Sequence, residues 1–380
     1  MTSSRLAALL ARFKQCNELD TSALDAISEI LDAAENRQGA EYASSVTNVA
    51  FFDAKPYDKQ SFESLEANEF SFRYIQAPLS KETAGLAKGC SVVCIFVNDC
   101  CDEDVVKQLV QLGVKCIALR CAGFNNVDLI ACKSYNMQVV RVPAYSPHAV
   151  AEHAVALMLM LNRQLHRAYL RNRSGQFVLD GLVGFDMFNK KIGVIGTGKI
   201  GQCVIDILLG FGCNILAYDT FPSASLQLHE RVHYLPMEAL LSQADIVTLH
   251  APLTKESQHL INDASISKMK KGAMIINTSR GGLIDSKALI RGLKTQHIGA
   301  AGLDVYEEEE GIFFNDISNQ VLDDDVLARL MSFNNVVITS HQAFLTQEAL
   351  SNIAETTLFN LRQYAKGKLN GDLLNSIVSG

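Results

Sequence analysis

Short apolar runs alternate with segments of mixed polarity along residues 47–145 and again along 190–340. In the first stretch the runs at 49–53, 72–75, 91–97, 116–120 and 138–142 read as strands, and polar-patterned segments such as 103–112 between them read as helices. In the second stretch the runs fall at 192–195, 214–218, 246–250, 274–278, 299–304 and 336–340. A strand covered on both faces shows as a continuous apolar run, so this alternation predicts parallel sheets with helices on either side. The expected fold class is α/β, with two doubly wound domains.

Between the stretches, Pro143 and Pro147 punctuate the chain, and residues 149–161 form a helical segment that is apolar nearly all round. Such a helix at a domain change reads as a buried crossover at a hinge, and it would suit a dimer interface as well as an intrachain one. The segment 348–364 reads as a helix returning to the first domain. The expected division is therefore 47–145 plus 345–380 for one domain and 146–344 for the other. Residues 1–46 stand apart as a helical extension, with Leu6, Leu9, Leu10 and Phe13 at helical spacing and a capping-box-like start at Ser22 and Asp25. Up to Asn17 this extension holds basic residues and no acid, as an organelle transit peptide does, but its second half is acidic. A surface extension of a cytoplasmic protein is the reading taken, with mitochondrion or plastid as the alternative.

The run at 192–195 leads into Gly196, Gly198 and Gly201 at GxGxxG spacing, with Lys199 and Ile200 opening a helix. These glycines suit a tight strand-to-helix turn, the approach of a pyrophosphate to the backbone, and close helix packing. Free N–H groups at the helix start would bind phosphate oxygens. The next strand ends in Asp219, at the distance where an acid meets the adenosine ribose hydroxyls. Thr220, Phe221 and Pro222 follow it without a cation for a 2′-phosphate, which favours NAD over NADP. Ligands of open parallel sheets bind outside the carboxyl ends of the strands, so His250, Ala251, Pro252, Thr278, Ser279, Arg280, Asp304 and His341 are expected to line the same crevice. Arg280 precedes two glycines, and its planar fork suits a carboxylate or a carbonyl. His341 can donate a proton near neutral pH, with a carboxylate partner expected in the run 307–310.

Composition narrows the functions further. Nearly half the residues are hydrophobic and a fifth are charged, which excludes a disordered chain. The formal charge of −7 argues against a nucleic-acid or anionic-membrane partner. The ten cysteines lie scattered through apolar runs and read as buried thiols, and no spacing predicts a metal. The apolar stretch 154–161 is too short to span a bilayer.

Six motifs stand in an order that resembles the D-isomer-specific 2-hydroxyacid dehydrogenases. They are RCAGFNNVD (120–128), RVPAYSPHAVAEHAV (141–155), GTGKIG (196–201), NTSRGGLID (277–285), GLDVYEEE (302–309) and SHQAF (340–344). The resemblance runs from about Val49 to the C-terminus and looks closest to the NAD-dependent D-lactate branch. It implies a flavodoxin-like substrate domain and a Rossmann NAD domain separated by an active-site cleft. By position it makes Arg280 the 2-oxo acid ligand, His341 the acid/base and Glu309 its partner. It further implies that the N–H groups of Ala122 and Gly123 hold the substrate carboxylate, and that Tyr145 and Phe344 are pocket walls. Pyruvate is the expected substrate, with hydroxypyruvate or phenylpyruvate as alternatives and a homo-oligomer, dimer or tetramer, as the assembly. A phosphorylated substrate would want cations near Gly123, where only Arg120 and Lys115 offer themselves. Phe51 and Phe52 read as core. A different class, an NADH-binding corepressor-like scaffold, has no need of an acid/base pair and is disfavoured by Arg280, Glu309 and His341.

Overall fold

The computed structural model describes residues 46–309, 311–368, 373 and 375–378, so the helical extension expected at 1–46 lies outside the described residues apart from Val46. The chain divides into two compact units, Met1–Pro143 with Ile353–Gly380, and Ala144–Asn352. Among the described residues no helix is long and apolar enough to cross a membrane.

The first unit is built on β1 (Thr47–Phe51), β2 (Phe70–Tyr74), β3 (Val92–Ile95), β4 (Cys116–Leu119) and β5 (Gln138–Arg141). They pair in the order β2-β1-β3-β4-β5, all parallel. This is the flavodoxin-like order. Strands β3 and β4 are buried along their whole length, whereas the edge strand β2 alternates, which is why the central runs read as continuous and apolar. Asp102 opens the helix Glu103–Gln111 by accepting the Val105 N–H. The later turns of the C-terminal helix Gln347–Ala365 supply Ala354, Leu358 and Leu361 to the same core as Val49, Phe51 and Val140. Phe51 and Phe52 are both fully buried.

Arg120 is one of the two cations that the sequence offers near Gly123. It follows β4 directly, yet it is completely buried, with its guanidinium 4.5 Å from the Phe51 ring centroid and 4.9 Å from that of Phe96. It lies 3.4 Å from the Asp58 carboxylate and donates to the Asp53 carbonyl at 2.8 Å. Burial raises the Asp58 pKa against the pull of Arg120. This cation is spent inside the domain and is not available to an anionic substrate. Lys115 precedes β4, at the opposite end of the sheet from Gly123.

The second unit carries β6 (Lys191–Ile195), β7 (Asn214–Tyr218), β8 (Val232–Tyr234), β9 (Ile246–Leu249), β10 (Ala273–Asn277), β11 (Ile298–Leu303) and β12 (Val336–Ile338). Their order is β12-β11-β10-β9-β6-β7-β8, again all parallel, with the reversal between β6 and β9 that marks a Rossmann sheet. Strand β8 is absent from the sequence reading because three residues make too short a run to register. The helix Pro147–Asn162 starts where Ser146 accepts the Ala149 N–H and Pro147 fills the first turn. Its apolar residues pack on the helix Lys199–Gly210 and across β10 and β11, so Ala151, Ala154, Met158 and Leu161 are core. One face of this helix is therefore packed within the chain. Exposed apolar surface lies next to it instead, on the helix Leu165–Arg173 and the loop that follows. Of the described cysteines, which are all free, Cys100 is exposed and Cys203 partly so, while the other seven are buried as expected.

Candidate active site

The strand-to-helix turn after β6 gives each glycine a separate reason. Gly196 has φ 92°, and a Cβ there would lie 2.6 Å from the His250 carbonyl carbon beyond β9. At Gly201 a Cβ would fall 2.0 Å from the Gly196 oxygen. Both positions exclude any side chain. Gly198, by contrast, opens onto free space and caps the helix Lys199–Gly210 without a side-chain hydrogen bond. The first-turn N–H groups of Lys199, Ile200 and Gly201 are therefore left for the oxygens of an anionic ligand.

Asp219, just past β7, turns back onto this loop. Its Oδ2 accepts the Thr197 N–H at 2.6 Å and the Thr197 hydroxyl at 3.0 Å, and its Oδ1 accepts the Phe221 N–H at 2.8 Å. Burial alone would raise its pKa, but the N–H groups of Phe221 and Thr197 outweigh that and hold it below the usual carboxylate range. The Tyr234 hydroxyl at the end of β8 donates to Thr197 Oγ1 at 2.9 Å, a link the sequence reading missed together with its strand.

Two buried polar atoms near the next strand ends lack partners. Thr278 Oγ1, after β10, and His250 Nδ1, after β9, have no hydrogen bond among the described residues. Burial of the His250 ring pushes its pKa down to about 4, so it is uncharged at neutral pH, with Nε2 2.9 Å from Thr248 Oγ1. Ser279 Oγ donates to the Ala251 carbonyl at 2.6 Å and the Pro252 carbonyl accepts from Ser257 Oγ, which fixes the loop beside them. Orphaned polar atoms, an uncapped helix start and an open glycine together fit a dinucleotide along this edge.

Arg280 leaves β10 in an extended conformation, with its carbonyl held by Asn277 Nδ2 at 2.8 Å. Its guanidinium donates only to the Ser279 carbonyl at 2.7 Å and forms no ion pair among the described residues. A planar cation without a carboxylate partner is ready for an anionic one.

His341 follows β12 with φ 54°, an uncommon conformation for a residue with a side chain. Its backbone N–H donates to the Asp304 carbonyl at 2.7 Å. Its Nδ1 lies 2.8 Å from Glu309 Oε1, and Glu309 Oε2 accepts the Tyr306 N–H at 3.1 Å. The Phe314 ring lies 5.9 Å from the imidazole, and Nε2 has no hydrogen-bond partner among the described residues. Asp304 itself is fully buried. Its carboxylate accepts from Thr339 Oγ1 and from the N–H groups of Gln342 and Ala343, and His153 Nε2 lies 3.4 Å away. Read from the sequence as a cofactor residue, Asp304 here holds the loop that presents His341. Tyr145 and Phe344 pack edge to face at 6.1 Å.

In the first unit, the Ala122–Gly123 turn is fixed from two sides. Arg141, which ends β5, donates to the Ala122 carbonyl at 2.7 Å, and Cys121 Sγ donates to the Gly123 carbonyl at 3.3 Å. Arg141 went unrecognised in the sequence, although its place at a strand's carboxyl end was the available signal.

Comparison with known proteins agrees with this geometry. Residues 155–343 match the model of the D-isomer specific 2-hydroxyacid dehydrogenase, NAD binding domain. The chain is 52% identical to D-lactate dehydrogenase of Escherichia coli over 321 residues, 84% of this chain and 97% of that protein. The solved pyruvate reductase of Chlamydomonas reinhardtii superposes with a TM-score of 0.82 at 46% identity, covering 86% of this chain and 98% of that one. D-lactate dehydrogenase of Aquifex aeolicus, solved with NAD and lactic acid, gives a TM-score of 0.76 at 31% identity, covering 88% and 100%.

Proposed function

The chain belongs to the D-isomer specific 2-hydroxyacid dehydrogenases, an NAD-dependent family, and from that premise we propose that it reduces pyruvate to D-lactate. The observation that carries this reading is the Glu309–His341 pair at 2.8 Å, in the same unit as an Arg280 guanidinium that no acid neutralises among the described residues. Gly196 to Gly201, Asp219, His250 and Thr278 are the residues assigned to hold the dinucleotide. When bound, NADH supplies a hydride for C2 of the 2-oxo acid. The chain supplies the rest. Arg280 orients the acid and stabilises the charge that develops on the C2 oxygen, and His341 gives that oxygen its Nε2 proton. Glu309, accepting from Nδ1, holds the ring in the tautomer and orientation that this requires. The N–H groups of Ala122 and Gly123 are assigned to the substrate carboxylate. Arg120 is buried away from this turn, and Arg141 is the cation beside it, where it already donates to the Ala122 carbonyl.

The test is NADH consumption with pyruvate, hydroxypyruvate, phenylpyruvate and oxaloacetate, followed by chiral analysis of the product. Pyruvate turned over to D-lactate faster than the others is the expected result. Turnover of a bulkier acid alone would overturn the substrate, and NADH binding without any turnover would overturn the enzyme.

Replacing Asp219 with alanine removes a charged acceptor for the ribose hydroxyls and frees the Thr197 turn. We expect the NADH dissociation constant, read by fluorescence titration, to rise about 10-fold or more, since a hydrogen bond to a charged group contributes roughly 1.5–3 kcal/mol. Turnover at saturating NADH should change little.

The assembly we propose is a homo-oligomer joined through the segment 165–188. Leu165, Tyr169, Leu170, Phe177, Val178, Leu179, Val183 and Phe188 are all more than half exposed there. The loop is nonetheless ordered, because Arg167 and Arg171 donate to the carbonyls of Gly181 and Asp180, and Asn162 binds both the N–H and the carbonyl of Phe185. Exposed apolar residues gathered in one segment mark an interaction surface. Phe177→Asp combined with Val183→Asp should yield monomers in light scattering, and an unchanged mass would overturn the assignment.

A further inference from the structure

Glu307 lies two residues ahead of Glu309, and its carboxylate turns elsewhere. Its Oε1 meets His259 Nε2 at 2.6 Å, and its Oε2 accepts the backbone N–H of Ser286 at 2.8 Å. Ser286 begins the helix Ser286–Lys294, whose first-turn amides have no partners within the helix. Asp285 takes one of them, at Ala288, and Glu307 takes another. His259 has φ 50°, a conformation that glycine or asparagine would adopt at lower cost, yet this position holds a ring that is used.

The backbones are joined as well. The His259 N–H donates to the Gly282 carbonyl at 2.8 Å, the Ile261 N–H to the Leu283 carbonyl at 2.9 Å, and the Asp285 N–H to the Ile261 carbonyl at 2.8 Å. Gly281, next to Arg280, lies so close to the Tyr306–Glu307 peptide that a Cβ would fall 2.0 Å from the Tyr306 carbonyl and 2.5 Å from the Glu307 nitrogen. Three segments, 259–262, 280–286 and 304–309, therefore meet at Glu307. One carries Arg280 and another carries Glu309.

We infer that His259 and Glu307 form a positioning pair that sets the Arg280 guanidinium against the Glu309–His341 proton donor. This rests on the dehydrogenase reading above and adds to it a residue pair that acts through its neighbours. Both side chains are partly exposed, His259 42% and Glu307 24%, so the pair adds little to stability. Its effect on the reaction is larger than its effect on the fold, because a misplacement of about 1 Å between reacting groups can cost about 100-fold in rate.

The experiment compares the full-length chain with His259→Gln, Glu307→Gln and Glu307→Ala, each also in an Arg280→Lys background. For Glu307→Ala we expect kcat/KM for the 2-oxo acid to fall about 10- to 100-fold, with KM for that acid raised and the NADH dissociation constant unchanged within about twofold. Glu307→Gln and His259→Gln, which keep a hydrogen bond across the pair, should recover most of the loss. In the Arg280→Lys background, Glu307→Ala should add less than about threefold, because the fork it positions is already gone. Unchanged 2-oxo acid kinetics, an equal loss of NADH affinity, or full additivity with Arg280→Lys would each overturn the inference. A wild-type chain inert toward every 2-oxo acid would overturn the dehydrogenase reading and the inference with it, and the wild type alone distinguishes that case.

Discussion

Replacing His341 with glutamine is expected to lower turnover of the 2-oxo acid by about 10³-fold while leaving the NADH dissociation constant within about twofold. A glutamine amide matches the reach of the imidazole and can still donate to Glu309 Oε1, now 2.8 Å from Nδ1. The backbone N–H bond to the Asp304 carbonyl and the grip of Asp304 on Gln342 and Ala343 do not involve the side chain, so the loop keeps its course. What the amide lacks is a proton it can release near neutral pH and recover afterwards. The loss should therefore fall on kcat. Steady-state kinetics at saturating NADH, paired with a fluorescence titration, separate the two quantities. Equal losses in turnover and NADH affinity would mean that the ring supports the nucleotide edge and does not transfer the proton.

Most of the fold was legible because parallel strands leave apolar-rich runs, continuous where both faces are buried as in β3 and β4 and alternating at the edge strand β2, and eleven strands of the two sheets coincide with such runs. Strand β8 did not, since Val232–Tyr234 is short, lies at a sheet edge and includes an exposed His233. From the residues alone the candidate site was legible to the level of strand ends, and the family motif added Glu309, which stands 2.8 Å from His341. The strand-end rule gives a residue's place along a strand without telling which way its side chain turns. Arg120 and Arg280 both follow strands, yet Arg120 is enclosed by Phe51 and Phe96, while the glycines after Arg280 leave its chain close to Tyr306 and its guanidinium unpaired by any acid among the described residues. Asp304 also sits at a strand end, but its carboxylate turns under the 339–343 loop. The run 307–310 offered consecutive glutamates that composition cannot tell apart. In the structure Glu307 faces His259 and Glu309 faces His341, a difference that depends on the tight turn returning Glu309 Oε2 to the Tyr306 N–H.

Arg280→Lys is the second change with a large expected effect. Lysine preserves the positive charge, so a purely electrostatic role would survive the exchange with a modest loss. Arg280, however, offers a rigid fork whose two arms suit the carboxylate and the C2 oxygen of the proposed substrate together, and a single ammonium does not. Losing one charge-assisted hydrogen bond in the ground state and weakening another that strengthens as the alkoxide forms amounts to about 4 kcal/mol, or roughly 10³-fold in kcat/KM. The fall should divide between a raised KM for the 2-oxo acid and a lowered kcat, because part of the interaction exists before hydride transfer and part only during it. Stability should barely move, since the guanidinium contributes one hydrogen bond to the Ser279 carbonyl and no ion pair among the described residues. Kinetics with pyruvate beside a thermal melt distinguish the outcomes. A melting temperature lowered by many degrees with KM unchanged would show that Arg280 braces its loop and leaves the substrate to other groups.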